Sequence, residues 1–252
     1  TAEQQTLLAS IPDPMFRQTT RDFCVNQQFR KDYWVKGCRT LTALEQAEAL
    51  RGQRILLAQP RADVGLKVTG SLGEATLQEA VYGPILDQLA DHKPKTLGQL
   101  EQALKATPST QSLSFAQILQ AAMVLSATGA VQAVQDDAVV QKAKKRTDRL
   151  NVYLMTKARS SNELSYLASP VTGGGVTVPR FQQLFLLAKQ QGHKHPQDWA
   201  NFVWNILALQ NQRLVKDGKT LETVEENLAE LTAQASEFAE KQLPILKALQ
   251  IA

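Results

Sequence analysis

Residues 76–134 read TLQEAVYGPILDQLADHKPKTLGQLEQALKATPSTQSLSFAQILQAAMVLSATGAVQAV, and this stretch decides the fold. Three helix starts follow one another, each a Ser or Thr with Glu or Gln three residues on: Thr76 with Glu79, Thr96 with Gln99 and Ser114 with Gln117. In such a box the hydroxyl accepts from the third helical N–H while the longer side chain reaches back to the cap. Each box opens an apolar stripe at helical spacing: Leu77, Val81, Ile85, Leu89, then Leu97, Leu100, Leu104, then Phe115, Ile118, Leu119, Ala122, Leu125. Gly129 stands where a left-handed helix cap belongs, and Ala130–Val134 alternates like a strand. Two short helices, a longer third, a glycine and a strand are the order of a winged helix; a plain helical bundle is the alternative.

Working outward, Phe16 to Phe29 reads as helical and Tyr33-Trp34-Val35 carries an aromatic, β-branched strand signal stopped by Gly37. Thr42 and Glu45 form another capping box, and Arg54–Ala58 and Leu66–Thr69 read as strands before the Gly70-Ser71-Leu72-Gly73 loop. On the other side, Leu150 and Leu154 belong to a further helix. Leu164–Ala168 and Val176–Val178 bracket Pro170 and Gly173–Gly175 as a hairpin. Pro179 and Pro196 suit first helical positions, Asp217-Gly218 turns the chain, and Thr223 with Glu226 opens a long final helix through Leu228, Leu231, Ala235 and Phe238. The fold class expected is α+β and predominantly α-helical: a winged-helix-like domain plus a helical domain with a short β-hairpin.

Composition narrows the class. The chain has 252 residues, 43% hydrophobic and 21% charged, with a net charge of +4. That apolar fraction, without long blocks of like charge, excludes disorder as the main state. No stretch approaches the roughly 20 unbroken apolar residues of a membrane helix, and Glu3, Gln4 and Gln5 stand where a basic secretory leader would begin. A cytoplasmic protein in a reducing compartment is expected, and a first residue of Thr1 without a methionine fits a fragment or a trimmed chain alike. Cys24 and Cys38 have no second pair and no nearby histidine, so zinc spacing is absent, and Cys24 reads as a core residue.

Most candidate sites fail on chemistry. The third helix of the decisive stretch carries no charge, and no basic residue lies between Lys105 and Lys142. A groove-reading helix without a cation forgoes the dominant electrostatic attraction to DNA, so DNA is not an expected partner. The one compact basic cluster is Lys142, Lys144, Lys145, Arg146 and Arg149, a candidate basic patch whose bland reading is a solvated helix start or linker. Gly173–Gly175 lacks the spacing and the strand–loop–helix context of a dinucleotide loop. His193 and His195 precede a helix with no third metal ligand in view. No catalytic, cofactor-binding or metal-binding residue is expected in this chain. Arg30, Lys31, Tyr33 and Trp34 form the candidate interaction surface, because arginine and aromatic side chains dominate contact hot spots. A half-buried strand edge is the competing reading.

Four strings carry a resemblance: Arg21-Asp-Phe-Cys-Val-Asn-Gln-Gln-Phe-Arg30, Leu167-Ala-Ser-Pro-Val-Thr-Gly-Gly-Gly-Val176, Phe185-Leu-Leu-Ala188 and Arg213-Leu-Val-Lys-Asp-Gly-Lys-Thr-Leu-Glu222. The first resembles the end of the methyltransferase regulatory domain, and the others are similar to the carboxy-terminal half of the same bacterial S-adenosylmethionine-dependent methyltransferases, some of them protein-lysine-methyltransferase-like. The resemblance implies a Rossmann-like catalytic domain first, a regulatory region next and a winged-helix part last. It assigns residues 1–66 to the end of the regulatory region, 67–141 to the winged-helix-like domain and 142–252 to a mainly helical domain with a hairpin near 164–178. The glycine-rich methyl-donor loop of the family is absent, so S-adenosylmethionine is expected in a catalytic domain joined in cis and not in this chain. The role implied is non-catalytic regulation or substrate recognition, with a protein substrate and a homodimer as further partners to test. A stand-alone winged-helix interaction or nucleic-acid-binding module is the alternative.

Overall fold

The computed structural model describes residues 1–33, 35–37, 39–70 and 73–252. Along the chain run α1 (Ala2–Ser10), α2 (Pro14–Cys24), α3 (Ala43–Arg51), β1 (Arg54–Leu57), the hairpin β2 (Lys67–Gly70) and β3 (Gly73–Thr76), α4 (Glu79–Leu89), β4 (Lys95–Thr96), α5 (Leu97–Lys105), α6 (Phe115–Ala127) and β5 (Val131–Ala133). Then come α7 (Asp137–Lys157), the hairpin β6 (Tyr166–Ser169) and β7 (Gly174–Thr177), α8 (Arg180–Gln190), α9 (Pro196–Leu209), the small hairpin β8 (Val215–Lys216) and β9 (Lys219–Thr220), α10 (Val224–Glu237) and α11 (Leu243–Ala248). The fold is α+β and predominantly helical. No described helix is long and apolar enough to cross a membrane.

Local chemistry explains most boundaries. Thr42, Thr96, Ser114 and Thr223 each cap a helix through a complete box with Glu45, Gln99, Gln117 and Glu226. Gly129 takes the left-handed conformation that ends α6 (φ +80°), and Asp217 and Gly218 both have positive φ, as the tight turn between β8 and β9 requires. Thr76 behaves differently from the sequence expectation. It pairs with Lys67 at the end of β3, and α4 starts at Glu79 behind Gln78 without a side-chain cap. The hairpin has claimed the hydroxyl residue that local spacing assigned to the helix. Ser71 and Leu72 of the expected loop lie outside the described residues.

The three-stranded sheet has the order β4-β1-β5, with both pairings antiparallel. Its middle strand therefore comes from upstream of all three helices, and the chain leaves β5 for α7 without returning as a hairpin. The boundary expected after residue 66 falls between β1 and the two strands it pairs with. β1 also divides its side chains by period two. Ile55 and Leu57 point into one core with Ile85, Leu86, Leu100, Leu104, Ile118 and Leu125 of α4–α6. Leu56 points the other way, into a second core built by α7–α11 and containing Met155, Phe185, Trp199 and Leu231. In that second core Phe238 stacks near Phe185 and Trp199, at centroid distances of 5.6 and 6.1 Å. The expected long final helix passes at Phe238–Gln242 into a single π-helical stretch before α11.

Polar staples close the second unit. Asn151 of α7 bonds both backbone groups of Ala168 in β6, at 2.7 and 2.8 Å. Ser169 donates to Leu249 O, and Gln183 donates to Leu164 O and Val178 O. Buried Asn227 accepts from Leu214 N and donates to Leu221 O and Thr223 O. In the first unit, Arg51 of α3 reaches Glu101 of α5 at 2.7 Å and lies over the Phe115 ring of α6.

Two outcomes follow. Leu56→Ala should lower unfolding stability by about 2–5 kcal/mol in urea melts, because the void opens inside the packed second core. The Arg51 guanidinium, with Lys105 beside it, holds the Glu101 carboxyl below its ordinary value of 4.5. A depressed native value adds stability above the unfolded value and loses it as pH falls through the native one. Glu101→Gln should thus be less stable than wild type at pH 7, and the gap should close progressively below pH 4.5.

Candidate functional site

The amino-terminal helices pack lightly on one another. Asp13 caps α2 by accepting from Phe16 N, Pro14 occupies the first turn, and Arg17 ties back to Ile11 O at 2.8 Å. Ile11 is buried, whereas Phe16, Phe23 and Phe29 are 62%, 83% and 85% exposed. The helix expected over 16–29 ends at Cys24, where Asn26 adopts a left-handed backbone (φ 50°). Cys24 itself is half-buried and not part of either core.

Beyond that turn the chain folds back. Arg30 reaches Asp22 at 2.7 Å and Asp32 at 2.9 Å, and Asp32 first and Asp22 next hold its guanidinium more firmly protonated. The result is an open groove of about 490 Å³ between α2 and residues 27–33, whose lining includes Met15, Arg21, Asp22, Lys31 and Tyr33. Arg30 is thus an exposed residue of this surface that also ties its two sides together, its side chain 36% accessible. Lys31 and Tyr33 are exposed, Tyr33 at 92%. Trp34, the fourth residue of the expected surface, and Cys38 lie outside the described residues. The strand expected over 33–35 is not formed at Tyr33 or Val35. Aromatic and β-branched composition favours a strand only where a partner strand packs against it.

The basic cluster lies within the 21-residue helix α7 and not at a helix start or linker. Lys144 pairs with Asp148 four residues on. Lys142, Lys145, Arg146 and Arg149 are exposed, and no ion pair engages them among the described residues. Exposed Tyr153 continues the same face, with the Lys157 ammonium 5.4 Å from its ring centre. Sequence reading stopped at Arg149; the spacing 142, 146, 149, 153, 157 was the signal that extends the stripe. Beside it, Val139, Ala143 and Thr147 form one wall of a cleft of about 490 Å³ whose further lining includes Gln135 and Ser169, Pro170 and Gly173 of the β6–β7 turn.

Arg180 lies in the chain between the glycine run and the two histidines. Gly173 has φ +72° in an antiparallel hairpin, and Arg180 spans loops by bonding Ala158 O and Arg159 O. His195 precedes α9, and the carbonyl of His193 accepts from the Trp199 indole at 2.8 Å. Among the described residues no cluster of three or more His, Cys, Asp or Glu side chains could hold a metal. The clamp yields a test: Arg30→Ala should speed tryptic cleavage after Lys31 while shifting global stability by less than about 1 kcal/mol, the ordinary worth of exposed ion pairs.

Comparison with known proteins points to the same amino-terminal segment. The family described as a predicted methyltransferase regulatory domain matches residues 1–36, which hold α1, α2 and the Arg30 clamp. An uncharacterized protein of Synechocystis sp. is 38% identical over 247 residues, covering 98% of this chain and 47% of that protein. The chain thus spans about half the length of this curated relative. No solved structure matches the chain. Residues 1–36 are therefore similar to a methyltransferase regulatory domain, and nearly the whole chain is similar to about half of a longer protein.

Proposed function

We propose that this chain is the non-catalytic regulatory and substrate-recognition part of a bacterial S-adenosylmethionine-dependent methyltransferase, working with a catalytic domain in the same polypeptide. One observation carries the reading: the segment matching the regulatory family leaves most of its large apolar side chains uncovered. Leu7, Met15, Phe16, Phe23, Phe29 and Tyr33 all stand exposed there. Exposed apolar surface of this density marks a contact face, and a preceding part of a methyltransferase is the partner that the family match favours. The relative's additional length leaves room for a domain of ordinary catalytic size.

The methyl donor belongs in that other domain. A nucleotide-type donor site needs a glycine loop between the end of a parallel strand and a helix N-terminus. Every strand pairing described here is antiparallel, and Gly173–Gly175 sits at a hairpin where Gly173 faces the Gln135 side chain and Gly175 the Tyr166 ring. These residues do not fit the donor, so no step of methyl transfer is assigned to them. The three-helix unit α4–α6 has a charge-free third helix, which suits packing or protein contact better than a DNA groove.

The test is association in the full-length protein. Phe16→Asp with Phe23→Asp should leave the melting midpoint of this chain within about 1–2 °C of wild type, since both rings are exposed. The same pair should loosen the contact between the two halves, read as faster proteolytic separation and lower methyl transfer. Unchanged separation and activity would defeat the reading, as would tight calorimetric binding of S-adenosylmethionine by these residues alone.

A further inference from the structure

The exposed face of α7 lies outside the segment that carries the regulatory reading, and it stands on separate observations. At 100° per residue, Lys142, Arg146, Arg149 and Tyr153 fall within an arc of about 60°, and the stripe to Lys157 runs about 22 Å along the helix. Its charge is uncompensated. Of the acids on α7, Asp137 is held by Arg54 at 2.8 Å and Asp148 by Lys144, so neither neutralises the stripe. Apolar side chains border the cations: Val139, Leu150 and Tyr153 are all exposed. The adjoining ridge, Val139, Ala143 and Thr147, opens into the cleft beside Gln135, Pro170 and Gly173.

We propose that this face is a docking site for an acidic amphipathic segment of a partner protein, with one apolar side chain seated in the cleft and carboxylates ranged along Lys142, Arg146 and Arg149. Charge complementarity selects an anionic partner, and the apolar border decides between kinds of anion. A nucleic-acid backbone would satisfy the cations but leave Val139, Leu150 and the cleft facing phosphate and water. An acidic segment with apolar residues at helical spacing covers both at once, in the way helix-in-groove recognition works. Tyr153 supplies a further contact, since aromatic side chains concentrate binding energy in such surfaces.

The probe is a fluorescein-labelled peptide of about 16 residues, long enough to span the stripe as a helix, with leucine at every third or fourth position and glutamate elsewhere. Anisotropy with the 252-residue chain should show saturable binding that weakens, without vanishing, as salt is raised. The triple variant Lys142→Glu, Arg146→Glu, Arg149→Glu should weaken it by about tenfold or more. Ala143→Trp, which fills the cleft without changing charge, should weaken it as well. A peptide with serine in place of each leucine should bind the unaltered protein less tightly, which tests the apolar seat even if a variant fails to fold. Equal affinity of the serine peptide, or of the triple variant, overturns the proposal. So does tighter binding of duplex DNA or of vesicles rich in phosphatidylglycerol, which would reassign the face to nucleic acid or to a membrane surface.

Discussion

The alternation of side chains along Arg54–Leu57 holds the molecule together. Ile55 and Leu57 are buried in the α4–α6 core and Leu56 in the α7–α11 core, so four residues serve two hydrophobic units. Both backbone edges of the strand are engaged: β4 pairs at Arg54 and Ile55, and β5 pairs at Ile55–Leu57. The seam continues at its ends, where Ala58 N donates to Ala130 O, Val134 N to Arg54 O, and the Arg54 side chain meets Asp137 at the start of α7. A slip of one residue would exchange the two faces and place Leu56 in the wrong core, so both units enforce the register.

This arrangement separates stiff from adaptable surface. The two cores and their polar staples fix α7 and the β6–β7 turn, and the cleft between them inherits that rigidity through Asn151 and Ser169. Burying amides and hydroxyls costs free energy unless they are hydrogen-bonded. Asn151 and Asn227 meet that condition, while Gln183 donates twice and leaves its carbonyl oxygen without a partner. The amino-terminal helices have no such support. Among the described residues of 1–52 the one buried hydrophobic is Ile11, and Arg30 bridges Asp22 and Asp32 along the groove. This segment keeps its phenylalanines outward while ion pairs bridge its surface, the feature on which the proposed contact with a catalytic domain rests.

The sites were legible to different depths. The basic patch could be found from composition, but its uncompensated charge depends on Lys144 pairing with Asp148 while its neighbours find no acid. The aromatic neighbours of Arg30 pointed to a contact surface but gave no sign of this residue's ion pairs. Its partner Asp22 lies eight positions back across a left-handed turn at Asn26, and only the folded path brings them together. The cleft beside α7 had no sequence signal, since Ala143, Thr147, Ser169 and Gly173 are small residues that acquire meaning only by facing one another.

By itself the sequence determined what is local: the caps at Thr42, Thr96, Ser114 and Thr223, the left-handed Gly129, the turn at Asp217-Gly218 and the apolar stripes of α4–α6. Each rests on bonds or sterics spanning a few residues, so the residue types at those spacings suffice. The tertiary structure alone decided which strands pair and which side chains stay outside. Thr76 served a hairpin instead of a helix, Tyr33 and Val35 found no strand partner, and β1 entered the sheet between segments far along the chain. Backbone pairing and burial are settled by competition among whole surfaces for the same neighbours, and that competition has no local spacing to read.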